Sequence, residues 1–335
     1  MAVAAGMALT SLSACGSGGS SSSATPAQTV NSAISADLGQ PGLQMVFSLK
    51  GSPNAFTGSG STLTTAQAQY LLRSQLVVTV HGKGSTPVSQ VSSTNGPNSL
   101  EIALVDKSAN LADLRYLGST LYARVDIPQI TNAYGLDRGS AATLRQGLNE
   151  IATQIPAASA LNKGQWISVD APGALGLVPG ASANASAAGD PGALVKVVAA
   201  LLGSLRDSGP VQSTNQGYLL TVHGKDIANQ LAQAVSSTPG ASSVPGLNSL
   251  GQKANSVSAS ATARVTAVVD NGRVTELILA LNQLNGNKLH GPASLDVSVA
   301  TAGAVATPGG VTAVNLQQLS QLIAQARSRS GGGTT

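Results

Sequence analysis

The chain has 335 residues, a net charge of +4 and 42% hydrophobic residues, with a mean hydropathy of +0.15, and this composition excludes an intrinsically disordered protein. Aromatic residues make up 2% and charged residues 10%, against a usual charged share of about 25%, so the core must be aliphatic and the surface rich in Ser, Thr, Asn, Gln and Gly. The positive charge forms no Lys/Arg cluster interleaved with aromatic residues, which argues against nucleic acid as a partner.

The amino-terminal segment has the composition of an export signal. Residues 2–12 are small and apolar, and they lead into Leu12-Ser13-Ala14-Cys15; the run is shorter than the roughly 20 residues that span a bilayer. The sequence Leu12-Ser13-Ala14-Cys15 resembles the bacterial lipobox. In a lipobox the cysteine thiol receives diacylglycerol before the preceding peptide is cut. We therefore expect a signal peptide over residues 1–14 and a lipidated Cys15. A free or buried cysteine is the alternative, and the lack of Lys or Arg before Cys15 suggests a true start upstream.

Cys15 is the one cysteine of the chain, so neither an intramolecular disulfide nor a zinc site built on several thiolates is expected. The residues after it, up to 25, are dominated by Gly and Ser and predict a flexible tether. Thr25-Pro26 then predicts the start of a helix, with Val30, Ile34 and Leu38 on one stripe and Gly39 at its end. Alternating residues predict strands at 43–49, 75–81, 99–105 and 120–126.

The middle of the chain alternates helices with two loops of low complexity. Ser140 is predicted to cap a helix with an apolar stripe that Pro156 stops, and Trp166, Ile167 and Val169 predict a short strand. Asp190-Pro191 begins the next helix, residues 217–222 form a strand, and Asp226 caps a further helix. The segments 171–192 and 236–256 are rich in Ala, Gly, Ser and Pro and predict long mobile loops.

A hairpin near the carboxyl end is the strongest local signal. Strands at 261–269 and 274–281 flank Asn271-Gly272, and this dipeptide supplies the positive φ angles of a type I′ turn. A strand at 294–299 and a helix from Asn315 follow, and the Gly-rich residues 329–335 predict a disordered tail. Runs of strands with helices between the runs predict an α+β fold with a largely antiparallel sheet, as a single domain over residues 26–328.

The sequence Thr-Val-His-Gly-Lys occurs at 79–83 and again at 221–225. A diverged internal repeat and two similar strand ends explain it equally well.

Four segments together resemble a known family: the lipobox at Cys15, Leu121-Tyr122-Ala123-Arg124-Val125-Asp126 with the helix after it, Gly164-Gln165-Trp166-Ile167-Ser168-Val169-Asp170, and Val268-Val269-Asp270-Asn271-Gly272-Arg273-Val274. The sequence resembles the actinobacterial LppX/LprA/LprF/LprG lipoproteins, which are similar in architecture to LolA and LolB, over residues 28–300. The high Ala/Gly content with few Lys also suits an actinobacterial source.

The resemblance implies a strongly curved antiparallel sheet, a half-barrel, with helices covering its concave face and an apolar space that carries lipids or lipid-linked glycans. It implies a monomer on the outer face of the cytoplasmic membrane or in the cell envelope, held by its lipid anchor, with a lipid or glycolipid as ligand. The loops at 171–192 and 236–256 and the extra carboxyl-terminal residues depart from the family pattern. The alternative is a structural or interaction lipoprotein without a ligand, its half-barrel filled by its own side chains.

Six apolar residues on two predicted helices are candidates for the lining of that space: Leu144, Leu148, Ile151, Val198, Leu201 and Leu205. The same helical stripe also fits an ordinary packed core, so both interpretations stand. An aliphatic lining with almost no aromatic residues suits acyl chains better than flat rings, because ligand pockets are concave and mostly apolar.

Few residues point to catalysis or to metal binding. The three histidines, His81, His223 and His290, lie outside any metal-binding spacing, and His81 and His223 are expected to be solvated at strand ends. No Gly-x-Ser-x-Gly elbow exists, and Gly82-Lys83 and Gly224-Lys225 lack the rest of a phosphate loop. Glu101, Glu150 and Glu276 are each expected on the surface. The sequence therefore predicts a protein that is not an enzyme and holds neither a metal nor a cofactor.

Overall fold

The computed structural model describes residues 24–57, 63–91, 99–106, 109–134, 138–152, 155–170, 192–206, 209–236, 262–283 and 289–318. The helices are α1 (Pro26–Leu38), α2 (Pro53–Phe56), α3 (Thr65–Arg73), α4 (Ile127–Tyr134), α5 (Arg138–Ala152), α6 (Pro156–Asn162), α7 (Gly192–Arg206) and α8 (Gly224–Ser236). Within these ranges, none of the helices combines the length and the apolar character needed to cross a bilayer.

In the described part of the chain, twelve strands form one sheet. Their bounds are β1 (Gly42–Gly51), β2 (Ser74–His81), β3 (Ser99–Asp106), β4 (Ala109–Leu117), β5 (Thr120–Val125), β6 (Ile167–Asp170), β7 (Val211–Thr214), β8 (Gly217–His223), β9 (Thr262–Asp270), β10 (Arg273–Ala280), β11 (Ala293–Thr301) and β12 (Thr312–Ala313). The order across the sheet is β12-β6-β5-β4-β3-β2-β1-β11-β10-β9-β8-β7.

The sheet is antiparallel apart from one pair and does not close into a barrel. The exception is β12, which lies parallel to β6, and the two edges of the sheet are β12 and β7. The register shifts between Leu104 and Val105 and between Val274 and Glu276, and such irregularities bend the strands that carry them. The predicted α+β class with an antiparallel sheet is confirmed.

Helix α1 follows its sequence signals closely. The Thr25 hydroxyl accepts a hydrogen bond from the backbone of Gln28, and the Gln28 side chain accepts one from the backbone of Thr25, which forms a capping box ahead of Pro26. The stripe Val30, Ile34 and Leu38 is buried, and Gly39 ends the helix as predicted. The helix packs on β7, β9 and β10 and beside α7, so it covers one face of the sheet.

The main core lies between that face and the two helices α1 and α7. Its buried members include Leu43 and Met45 of β1, Val80 of β2 and Leu220 of β8. Asp37 of α1 is 2% exposed and binds Arg273, with Nε and Nη2 at 2.7 and 2.5 Å from its Oδ1, while its Oδ2 accepts from the backbone of Val274. Alternating side chains on β1 thus fill the core, and one buried ion pair fixes α1 over the sheet.

The turn between β9 and β10 has the predicted geometry. Asn271 and Gly272 have φ angles of 49° and 73°, and Asp270 pairs with Arg273 across the turn. A type I′ turn requires positive φ at both central positions, which Asn and Gly adopt at low cost.

Two predicted helix starts are wrong. Ser140 lies inside α5, which begins at Arg138, and Asp226 lies in the first turn of α8, which begins at Gly224. Pro156 does not only follow a helix; it begins α6, because its fixed φ and missing N–H suit the first helical position. An acidic side chain in a first turn still complements the helix dipole, which is why Asp226 marked the region correctly.

Several predictions fall outside the described residues. These are the signal peptide, Cys15 and the start of the tether at 1–23, most of the two loops at 171–191 and 237–261, and the chain beyond 318. Asn315 does begin a helical segment, since its side chain accepts hydrogen bonds from the backbones of Gln317 and Gln318.

Candidate functional site

An apolar surface crosses β2 to β5 on the same face of the sheet as the core. Met45 pairs with Val78, Val78 with Ile102, Ile102 with Leu114, and Leu114 with Ala123. Paired residues in adjacent strands share a face. The next row on that face holds Leu76 opposite Leu104. We call these six residues the apolar floor: Leu76, Val78, Ile102, Leu104, Leu114 and Ala123.

Burial along this face changes sharply from one end of β2 to the other. Val80 is 1% exposed and Val78 is half-buried, whereas Leu76 is 41% exposed. Across the strands, Met45 is 2% exposed and Leu114 is 39% exposed. Leu76 and Leu114 are the exposed large hydrophobic residues in the described part of the chain. The core side chains therefore fill one part of this face and leave the apolar floor partly uncovered.

Helices pack on the sheet at both sides of the apolar floor. On one side α1 and α7 cover the strands from β7 to β10, and α7 also touches the segment Val88–Gln90. On the other side α6 packs on β5, β6 and β12, where Ile155, Ala157 and Ala158 contact Ile167. Ile167 pairs with Ala123, so α6 lies on the same face as α1 and α7.

Polar side chains border the floor next to Leu76. Ser74 pairs with Asp106 one row beyond the Leu76–Leu104 pair. Arg73 donates to Asp106 Oδ2 at 3.0 Å and stacks on the Tyr70 ring at 5.3 Å, and its side chain is 46% exposed. Among the described residues, the Asp106 Oδ1 is buried and accepts no hydrogen bond. An apolar surface thus ends at a polar border that still has one free acceptor.

The opposite face of the sheet carries a polar row. Gln44 pairs with Thr79, Thr79 with Glu101, and Glu101 with Arg115, on four adjacent strands. The segment from Thr301 to Ala306 runs over this row and leaves a groove of about 360 Å³. Neighbouring Trp166 stacks with Arg115 at 4.8 Å.

Arg115 is the centre of this polar cluster. Its Nε and Nη2 donate to the two carboxylate oxygens of Asp113 at 3.3 and 3.0 Å, and Nη2 lies 2.9 Å from Glu101. Burial raises the pKa of the Glu101 carboxyl, and the nearby Asp113 carboxylate adds to that rise, while Arg115 and Thr79 oppose it. The prediction that Glu101 is a plain surface residue is wrong, because the β3–β4 pairing places it beside Arg115.

The six predicted lining residues lie on α5 and α7. Leu144, Leu148 and Ile151 belong to α5 and Leu201 to α7, and their side chains lie outside the described set. Leu205 of α7 is 4% exposed in the main core, and Val198 packs against that core. Their role as cavity lining stays a prediction. The apolar floor itself was not among the candidates, although the alternation at 75–81 and 99–105 carried the signal.

Two of the three histidines lie at strand ends, as the sequence predicts. His81 and His223 end β2 and β8, and His223 and His290 are exposed, while His81 is half-buried with Nδ1 2.7 Å from the Gly82 carbonyl. After the two histidines the chain differs, with a turn after β2 and α8 directly after β8. No group of three or more His, Cys, Asp or Glu side chains within the described ranges is arranged to hold a metal ion.

No protein-family model matches the chain, and no curated protein matches it. Among solved structures, the crystal structure of LprF from Mycobacterium bovis is similar, with 10% sequence identity over 84% of this chain and 94% of that chain and a TM-score of 0.34. LprF is one of the lipoproteins that the sequence resembles.

Proposed function

We propose that this protein is a cell-envelope lipoprotein that binds the acyl chains of an amphiphilic lipid against the apolar floor. The observation that carries the proposal is the exposure of Leu76 and Leu114, 41% and 39%, on a face where Leu43 and Leu100 are buried in the core. Water against such a surface is costly, since each buried methylene contributes about 0.8 kcal/mol. An acyl chain laid across Leu76, Ile102 and Leu114 would displace that water.

The chemistry of the border supports an amphiphile rather than a pure hydrocarbon. Arg73 and Asp106 flank the Leu76 end of the floor, and Asp106 Oδ1 is a buried acceptor without a partner among the described residues. A buried acceptor of this kind is costly unless it is paired. A head group with a hydroxyl or amide donor would satisfy it while the acyl chain lies on the floor.

Export and lipidation belong to the same proposal. Cys15 would carry the lipid, and the Gly/Ser residues after it would let the folded domain stand away from the membrane surface. Two acyl chains on the anchor hold a protein stably, whereas one is marginal. Mass spectrometry of the amino-terminal peptide should find Cys15 modified in the wild type, and an unmodified cysteine in membrane-extracted protein would contradict the anchor.

Native mass spectrometry of the purified protein tests the carrier role. We expect a co-purifying lipid of defined mass that organic extraction removes, because the floor is apolar and partly uncovered. Leu114→Gln should reduce the lipid-bound fraction, whereas Leu117→Gln, the same change on the same strand but on the opposite face, should leave it unchanged. A wild-type protein that never carries lipid, even after incubation with phospholipid vesicles, would favour the ligand-free structural role instead.

A further inference from the structure

The chain after β11 connects both faces of the sheet. At Gly42 it turns onto the polar face, where a Cβ added to Gly42 would lie 2.2 Å from the Ala302 carbonyl oxygen. The backbone of Val305 donates to Ser99 Oγ at 2.9 Å, and the Ala306 carbonyl accepts from Arg115 Nη1 at 3.0 Å. Further along, the chain forms β12, the edge strand that pairs with β6. We call residues 302–314 the clasp.

Few bonds hold the clasp. Besides the two contacts to Ser99 and Arg115, its backbone donates from Ala302 to Gly42, from Thr312 to Trp166 and from Val314 to Ser168. Most of its residues are exposed, among them Gly303, Ala304, Ala306, Thr307, Gly309 and Gly310. Segments with few buried contacts and exposed backbone open locally without unfolding of the whole domain.

Arg115 connects two attachment points of the clasp. Its guanidinium donates to the Ala306 carbonyl and also lies 4.8 Å from the centre of the Trp166 ring. The Trp166 backbone carbonyl in turn accepts the hydrogen bond from Thr312 that begins the β12–β6 pair. Asp113 and Glu101 hold the guanidinium in this orientation. The planar guanidinium of Arg can donate several hydrogen bonds and stack on an aromatic ring at the same time, whereas the Lys ammonium cannot.

The far end of the clasp touches the helix beside the apolar floor. Val314 packs against the buried cluster of Ile155, Ala157 and Ala158 in the α6 region, as Ile167 of β6 does. Helix α6 also packs on β5, the strand that carries Ala123 of the floor. Detachment of Val314 would therefore remove apolar contacts that hold α6 against this side of the sheet.

We infer that the clasp detaches from the sheet and reattaches, and that Arg115 controls how often it detaches. Detachment frees α6 and thereby controls how fast an acyl ligand enters and leaves the apolar floor. The inference rests on the proposed function, since it concerns access to the same surface. It assigns a regulatory role to the polar cluster on the opposite face, which makes no contact with the acyl chain itself.

Arg115→Lys tests the inference, with Arg124→Lys as the matched control, because Arg124 also stacks on Trp166 at 5.2 Å but donates no hydrogen bond to the clasp. We expect Arg115→Lys to speed hydrogen exchange at the amides of Val305, Thr312 and Val314 by about tenfold, since charge-assisted hydrogen bonds are among the stronger ones, with exchange at Val78 unchanged. Dissociation of a bound polyene fatty acid, followed by stopped-flow fluorescence, should speed by a similar factor.

Val314→Ser gives a second test that leaves the Arg115 cluster intact and should speed dissociation of the same fatty acid. Faster exchange in the clasp without faster dissociation would overturn the inference while the proposed function stands. If the wild type does not bind the fatty acid at all, both the proposed function and the gating role are refuted. Equal effects of Arg115→Lys and Arg124→Lys on dissociation would also overturn the inference, because they would assign the effect to Trp166 stacking alone.

Discussion

Replacement of Leu114 by Gln should separate ligand binding from fold stability. Leu114 is 39% exposed in the ligand-free protein, and full burial of a Leu side chain is worth about 1.5–3 kcal/mol, so an acyl chain that covers the exposed part gains roughly 0.6–1.2 kcal/mol there. A glutamine amide under the same acyl chain adds a desolvation cost of about 1–3 kcal/mol. Together these predict acyl binding weaker by about 1.6–4.2 kcal/mol, or at least about 15-fold in Kd.

Isothermal titration with a long-chain fatty acid measures the loss of affinity, and urea unfolding measures stability. The free energy of unfolding should fall by only about 1–2 kcal/mol, because 39% of Leu114 is already exposed in the folded protein and only the covered remainder contributes to stability. Leu117→Gln is the control, since Leu117 lies on the same strand and faces the other way. Unchanged affinity in Leu114→Gln, or a matching loss in Leu117→Gln, would refute the claim that the apolar floor receives the ligand.

Three further predictions concern the frame around the site. Asp37→Ala should lower the free energy of unfolding by about 2–4 kcal/mol in urea, because it leaves Arg273 and the Val274 amide without their buried partner. Gly272→Ala should cost about 1 kcal/mol in the same assay, since its φ of 73° strains an alanine. The pKa of Glu101 is raised in the folded state, so the folded state binds the Glu101 proton more tightly than the unfolded state does. The stability of the wild type relative to Glu101→Gln should therefore fall as pH rises above 4.5. A relative stability that rises with pH would refute the assigned environment.

Local patterns in the sequence predicted the elements that depend on near neighbours. The Thr25–Gln28 cap, the alternation in β1 and the Asn271-Gly272 turn are each set by residues a few positions apart. Strand β4 was missed, although Ala112, Leu114 and Tyr116 alternate with Asp113 and Arg115 in the strand period.

The candidate sites depend on contacts that local patterns do not encode. Glu101 meets Arg115 only through the β3–β4 register, and a one-residue slip would place them on opposite faces. The clasp pairs β12 with β6 across more than a hundred residues of sequence, and a two-residue parallel strand has no pattern of its own. One signal was present: a lone Glu101 within the apolar run from Leu100 to Val105 marks a face that needs a charged partner.

Photo-crosslinking with a diazirine-bearing fatty acid tests the central claim most directly. The account predicts that labelled peptides, mapped by mass spectrometry, contain Leu76 and Leu114, and that unlabelled fatty acid in excess abolishes the labelling. Saturable labelling confined to the opposite face around Thr79, or labelling spread evenly over the surface, would contradict a lipid site on the apolar floor.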